Sequence, residues 1–357
     1  MDLIQKILLE EVSSNKTPSI QYILFNRETI IKKYCSGYAN IEKNSFPEGN
    51  TTYNGYSVTK TFTALAILQL AEQNRLDLDK HAKIYLTEFP YHSGITIRQL
   101  LTHTSGIPNP IPLSWIHLKD EHQTFDRNEF FKNIFAKNNK TKSNPNEKYA
   151  YSNLGYVLLG QIIEKVTGIT YEQYIRDNIF NRIGLHSNEL GFEIADITLQ
   201  AKGYHKRLSF SNLFLGLLID KSKFIDHTEG KWNSFNSFYL NGTSYGGLIG
   251  TPVAFVKYIQ ELLTADNRLL SDRYKSMLFT ENITNDKKRT GMCLSWFTGQ
   301  LNGKKYFAHA GGGGGYYCEI RIYPEEGIGS VIFFNRTGMS DERYLDKVDR
   351  IYFGSHP

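Results

Sequence analysis

Apolar residues near the start of the chain fall at Leu3, Ile4, Ile7, Leu8 and Val12, the spacing of an amphipathic helix. Gln5, Lys6, Glu10 and Glu11 interrupt any apolar stretch there, so the segment does not read as a secretory leader and a cytoplasmic location is expected. Two strand-like runs follow, 20–25 and 29–38, with Asn26-Arg27-Glu28 as the turn. Residues 61–73 predict a helix with Phe62, Leu65, Ile67, Leu68 and Leu70 facing inward. From 95 to about 245 the signals are mostly helical. A short periodic segment covers 96–102, an apolar helix over 156–166 stops at Gly168, and Thr170 with Gln173 resembles a capping box opening 171–183. Residues 137–148 read as a solvated loop, and 203–241 as irregular and aromatic-rich. A helix from 251 to about 264 precedes four strand signals, 292–298, 304–309, 316–323 and 329–335. Pro324-Glu325-Glu326-Gly327 turns between the last two, and a helix over 340–353 closes the pattern.

Strand signals therefore lie near the two ends and helices between them. This predicts an α+β fold: an antiparallel sheet flanked by terminal helices, built from residues 1–80 and 246–357, with 81–245 as a large, mostly helical insertion. The cleft between the two parts is the expected site. Composition narrows the classes further. With 40% hydrophobic and 22% charged residues among 357, the chain is globular, not disordered, collagenous or a coiled-coil rod. The net charge of +5 (41 minus 36) is dispersed among acidic residues, so no nucleic-acid partner is expected. Cys35, Cys293 and Cys318 form no C-x-x-C, which argues against a disulfide framework and a cysteine zinc site. The longest apolar run, near 214–219, is far too short for an integral membrane segment. His117 and His122 flank Asp120 and Glu121 without an H-E-x-x-H, so neither a metal nor a cofactor is expected.

Three motifs carry candidate chemistry. Ser57-Val58-Thr59-Lys60 is an S-x-x-K, and on a helical turn i and i+3 share a face. Lys60 can then serve as the base a serine hydroxyl needs. Tyr151-Ser152-Asn153 is a Y-x-N; a tyrosine near a lysine can pass a proton, and an asparagine can bind an amide or carbonyl. His309-Ala310-Gly311 ends a strand and opens the run Gly311–Gly315, where backbone N–H groups can approach a substrate. Each motif alone is weak: Ser13-Ser14-Asn15-Lys16, Tyr38-Ala39-Asn40, Tyr239-Leu240-Asn241 and His92-Ser93-Gly94 share their letters.

Their order is specific. S-x-x-K opening an early helix, Y-x-N within helical sequence and H-x-G on a late strand resemble the penicillin-binding and class C β-lactamase-like serine hydrolases. Leu100–Ile107, Asn146–Asn153, Gly246–Pro252 and His309–Gly327 are similar to further segments of that family. The resemblance implies an acyl-enzyme with Ser57 as nucleophile, Lys60 as proton acceptor and Tyr151 as proton shuttle. It makes Asn153, His309, Gly311 and Gly312 substrate-binding, with the oxyanion hole from the N–H groups of Ser57 and Gly312. His309 stands where β-lactamases carry a lysine, which points toward esterases and D-peptidases. The segment Asn181-Arg182-Ile183-Gly184-Leu185 lacks the family's usual proline.

The competing motif is Gly242-Thr243-Ser244-Tyr245-Gly246, which has the letters of a nucleophile elbow, with Asp266, Asp272 or Asp286 and then His309 following. It requires a parallel sheet that the pattern does not predict. His103, beside Ser105, reads as a structural hydrogen-bonder. The partner expected is a small ester, amide or peptide, the oligomeric state being undetermined by sequence. A β-lactamase, an acylation-based sensor and a non-catalytic scaffold or filament protein of the same fold remain as alternatives. Phe210, Phe214, Phe224, Trp232, Phe235, Phe238 and Tyr239 are expected to overhang the cleft or to form core.

Overall fold

The computed structural model describes residues 2–91, 94–208, 220–337 and 343–355. Helix α1 (Leu3–Ser13) is opened by Asp2, which exchanges side-chain and backbone hydrogen bonds with Gln5. The main sheet has six antiparallel strands: β1 (Ser19–Asn26), β2 (Ile30–Gly37), β3 (Phe297–Leu301), β4 (Lys304–Gly313), β5 (Tyr316–Tyr323) and β6 (Ile328–Phe334). Their order is β3-β4-β5-β6-β1-β2. The early and late halves of the chain join where β1 pairs with β6, Ile20 opposite Phe334 and Asn26 opposite Ile328.

β5 and β6 are buried throughout and β1 nearly so, because both faces of the sheet are covered. On one face Tyr22, Leu24, Tyr323 and Ile332 pack with Ile4 and Leu8 of α1 and with Leu345 and Val348 near the chain's end. On the other, Ile23, Phe25, Ile320 and Phe333 meet the helices. Two-sided burial is why these antiparallel strands read as apolar runs instead of alternating.

Helix α2 (Thr59–Glu72) is buried from Thr59 to Ala71, polar residues included, as befits a helix packed on every side. Its Phe62 stacks on Tyr258 of a helix at Pro252–Leu263, with ring centroids 3.9 Å apart. Helix α3 (Asn153–Thr167) is capped by Ser152, whose Oγ accepts the Gly155 amide at 3.1 Å, and ends at Gly168 with φ of 79°. Among the described residues no helix is long and apolar enough to cross a membrane.

Several local expectations are corrected. The middle of the chain carries short strands as well as helices: Tyr204–Lys206, Trp232–Phe235 and Ile225–Glu229 form one small sheet, and Ile116–Leu118 pairs with Phe238–Leu240. The helix expected over 171–183 is an α-helix only at Tyr171–Ile175, followed by a π turn and a 3-10 turn. The strand expected from 292 starts at Phe297, because Ser295 turns the backbone to a φ of 71°. The strand expected to stop at His309 runs on to Gly313. Phe210 and Phe214, the apolar run near 214–219, His92 and Ser93, and the beginning of the expected closing helix lie outside the described residues; that helix is seen at Leu345–Ser355.

Candidate active site

Ser57 sits in the 3-10 turn Tyr56–Val58 that feeds directly into α2. Tyr56 holds a φ of 43°, the left-handed region that costs a non-glycine residue of order 1–3 kcal/mol. Its ring fixes the turn from outside, because Tyr56 Oη donates to the Gly314 carbonyl at 2.6 Å. The Gly55 amide donates to Leu248 O at 2.7 Å.

One helical turn on, Lys60 brings Nζ to 3.0 Å from Ser57 Oγ, 2.8 Å from Asn153 Oδ1 and 2.7 Å from the Tyr245 carbonyl. The side chain is fully buried, and among the described residues no carboxylate offsets that burial. The rings of Tyr151, Tyr156 and Tyr245 lie 5.0–5.5 Å from the nitrogen, a setting that favours a cation. Loss of water outweighs this, and burial holds the amine well below its ordinary pKa. A neutral amine has two N–H groups and one lone pair. Asn153 Oδ1 and the Tyr245 carbonyl are acceptors only toward it, so they take the two N–H groups and the lone pair is left for the Ser57 hydroxyl.

Tyr151 Oη donates to Ser57 Oγ at 2.9 Å. Burial pushes its phenol up, so it keeps its proton at neutral pH. The His103 ring lies against it, with centroids 4.2 Å apart. His103 Nδ1 accepts the Ser152 amide at 3.1 Å, which puts the ring proton on Nε2. This is the structural hydrogen-bonding expected of that histidine. Asn153 occupies the first position of α3, and Asn109 Oδ1 accepts both its backbone amide at 3.0 Å and its side-chain Nδ2 at 3.1 Å. Those contacts turn Asn153 Oδ1 toward Lys60.

The glycine run is part of β4: Gly311 stands opposite Cys318, Gly312 opposite Tyr317 and Gly313 opposite Tyr316. β3 pairs with β4 only as far as Ala308, so 309–313 extend beyond that neighbour. A Cβ on Gly311 would stand 2.2 Å from the Gly55 carbonyl oxygen, and one on Gly313 would stand 2.3 Å from the Tyr56 ring. The strand and the Ser57 turn thus touch through atoms that only glycine leaves free. Gly311 is buried at this contact, whereas Gly312 and Gly313 line the cleft. His309 also lines it. Its Nδ1 lies 2.7 Å from the Ala310 carbonyl and must donate there, leaving Nε2 as an acceptor; burial brings the ring down to about 3, so it is neutral.

Ser57, Tyr151, Asn153, His309 and Gly312 share one cleft of about 1030 Å³. Leu113, Ile116, Phe235, Phe238, Leu240 and Phe297 give it an apolar wall. Phe224, Trp232 and Tyr239, also expected near the cleft, are buried and do not line it. A larger depression of about 1480 Å³, near Arg127 and Glu164, holds none of the motif residues. The elbow-like Ser244 is spent elsewhere: it is buried and donates to the Tyr156 carbonyl at 2.9 Å.

The beta-lactamase family pattern matches residues 4–352. This chain belongs to the beta-lactamase family. Among its relatives, penicillin-binding protein 4* of Bacillus subtilis is 26% identical over 334 residues, covering 91% of this chain and 70% of that one. Protein flp of Staphylococcus aureus strain MW2 is 30% identical over 181 residues, 49% of this chain and 35% of its own length. The fold is shared with the octameric penicillin-binding protein homologue of Pyrococcus abyssi, at a TM-score of 0.80 and 24% identity over 99% of this chain and 78% of that one. It is shared likewise with the D-amino acid amidase of Ochrobactrum anthropi SV3 in complex with L-phenylalanine amide, at 0.79 and 22% over 99% and 98%.

Sequence reasoning missed three parts of this beta-lactamase-family site: the Tyr245 carbonyl, Asn109 and the strained Tyr56. The first is a backbone atom with no sequence signature. Asn109, two residues after Ile107, adjoins a segment already similar to the family's.

Proposed function

We propose that this protein is a serine hydrolase that acts through an acyl-enzyme on small esters or amides with an apolar acyl group. The observation that carries the reading is Ser57 Oγ held between the buried Lys60 amine at 3.0 Å and the Tyr151 hydroxyl at 2.9 Å. Neutral Lys60 takes the Ser57 proton as Oγ attacks the carbonyl carbon. The N–H groups of Ser57 and Gly312 receive the developing oxyanion. Tyr151 passes its phenolic proton to the leaving amine or alcohol and regains one from Lys60. Water then attacks the acyl-enzyme by the reverse path. General-base help of this kind is worth about 10²–10⁴-fold.

The lining of the cleft supports this substrate class. Aromatic and aliphatic side chains favour an apolar acyl group, and neutral His309 offers an acceptor where a lysine would hold a carboxylate. The fold shared with D-amino acid amidases and penicillin-binding proteins supports amides and peptides alongside esters. The test is a panel of p-nitrophenyl esters, D-amino-acid amides and nitrocefin, with a fluorophosphonate to label the nucleophile. Mass added at Ser57 and turnover of esters or amides above nitrocefin are expected. Labelling that persists in Ser57→Ala refutes the nucleophile, and acylation without turnover refutes the hydrolase.

A further inference from the structure

We propose that Glu42, His227 and Glu229 form a binding site for a divalent transition cation of the zinc class. One ligand atom from each lies within 4.8 Å of the other two. His227 Nε2 is 3.2 Å from Glu229 Oε1 and 3.6 Å from Glu42 Oε2. Metal–ligand bonds of ~2.0–2.1 Å in a tetrahedron place neighbouring ligand atoms about 3.3 Å apart, so these separations bracket the edge of such a site.

Two further observations point to an ion instead of a surface salt bridge. The Glu229 side chain is only 6% exposed, and among the described residues its Oε1 has no hydrogen-bond donor, the His227 imidazole being its close contact. Its other oxygen is held by the Glu42 amide at 3.0 Å and the Tyr204 hydroxyl at 2.8 Å, which leaves Oε1 facing the imidazole. On the far side of the imidazole, Asp226 Oδ2 lies 3.2 Å from Nδ1. With Nε2 given to a metal, a carboxylate there would take the Nδ1 proton, the arrangement seen behind metal-bound histidines. Asp226 is itself paired with Lys202, so the two glutamates balance the two charges of the cation. An imidazole with two carboxylates suits zinc, cobalt or manganese better than calcium.

Position gives the ion a task. His227 and Glu229 lie on Ile225–Glu229, which pairs with Trp232–Phe235 and so with the Phe235 that lines the cleft. Glu42 lies between β2 and the Ser57 turn. The cation would clamp a wall of the cleft to the sheet side of the molecule, without touching the Ser57 chemistry.

The test is Co²⁺ titration of the whole chain, followed by visible absorption and equilibrium dialysis, with Zn²⁺ as competitor and circular dichroism to check folding. One equivalent of Co²⁺, displaced by Zn²⁺ and accompanied by a higher Tm, is expected. His227→Ala and Glu229→Gln should abolish it, and Asp226→Asn should weaken it about 10–100-fold. His122→Ala, which alters the separate His117–His122 pair, should leave it intact. No binding at millimolar Co²⁺, or binding that survives His227→Ala, overturns the proposal.

Discussion

Replacing Gly311 by alanine adds one carbon where β4 touches the Ser57 turn. The backbone φ there is compatible with alanine, so the perturbation is steric. The new Cβ would stand 2.2 Å from the Gly55 carbonyl oxygen and 3.1 Å from Cys318 Sγ. The first neighbour is backbone and cannot rotate away, so the strand and the turn must part by about 1 Å to restore contact distance. Overpacking of this size costs about 1–3 kcal/mol of stability. A displacement of about 1 Å between catalytic groups costs ~10²-fold in rate. Gly312→Ala is the control one residue away: its Cβ meets the Tyr317 ring at 3.4 Å and nothing closer. That variant should keep or slightly raise stability, by about 0.4–1 kcal/mol from the restricted unfolded chain. Urea unfolding gives the stabilities, and kcat/KM on a p-nitrophenyl ester gives the rate. Gly311→Ala with an unchanged unfolding midpoint and a rate within about twofold of the parent would refute the contact argument.

Lys60→Ala and Tyr151→Phe should each lower kcat at least about a hundredfold, and the double variant should lose little more, because both act on one proton path; near-normal turnover in either sinks the mechanism. The acid limb of the kcat/KM profile, where Lys60 gains a proton, should lie well below 10.5, since burial lowers the pKa of its amine. An acid limb still centred near 10.5 would refute the burial-lowered lysine. His309→Lys should shift selectivity toward carboxylate-bearing substrates, measured as the ratio of kcat/KM for paired charged and neutral esters; an unchanged ratio removes His309 from the acyl side of the cleft.

What could be read in advance was set by local rules. Ser57 and Lys60 meet because three residues make one helical turn, and Ser152 caps α3 as its side-chain chemistry requires, leaving Tyr151 and Asn153 on either side. What stayed hidden depends on contacts distant in sequence. The glycine run read only as backbone open to a substrate, because nothing local reveals the Gly55 carbonyl that Gly311 must clear. Gly242–Gly246 looked like a nucleophile elbow, yet its contribution is the carbonyl of Tyr245. Met292, Cys293, Leu294 and Trp296 are all buried, which mimics a strand, although the backbone turns at Ser295. In 225–240 the strands are three to five residues long, too short for alternation to show.

The pairing of β1 with β6 also fixes when the molecule can be completed. The Ser19 amide and hydroxyl both donate to Asn335 Oδ1, across 316 residues of chain. On a ribosome adding ~5–20 residues per second, β1 waits roughly 15–65 s for its partner. Through that interval its apolar residues have β2 on one edge and nothing on the other. An exposed strand edge of this kind is a template for pairing with other nascent chains. Yield in the cell should therefore depend on translation speed and chaperone supply as well as on the stability of the finished fold.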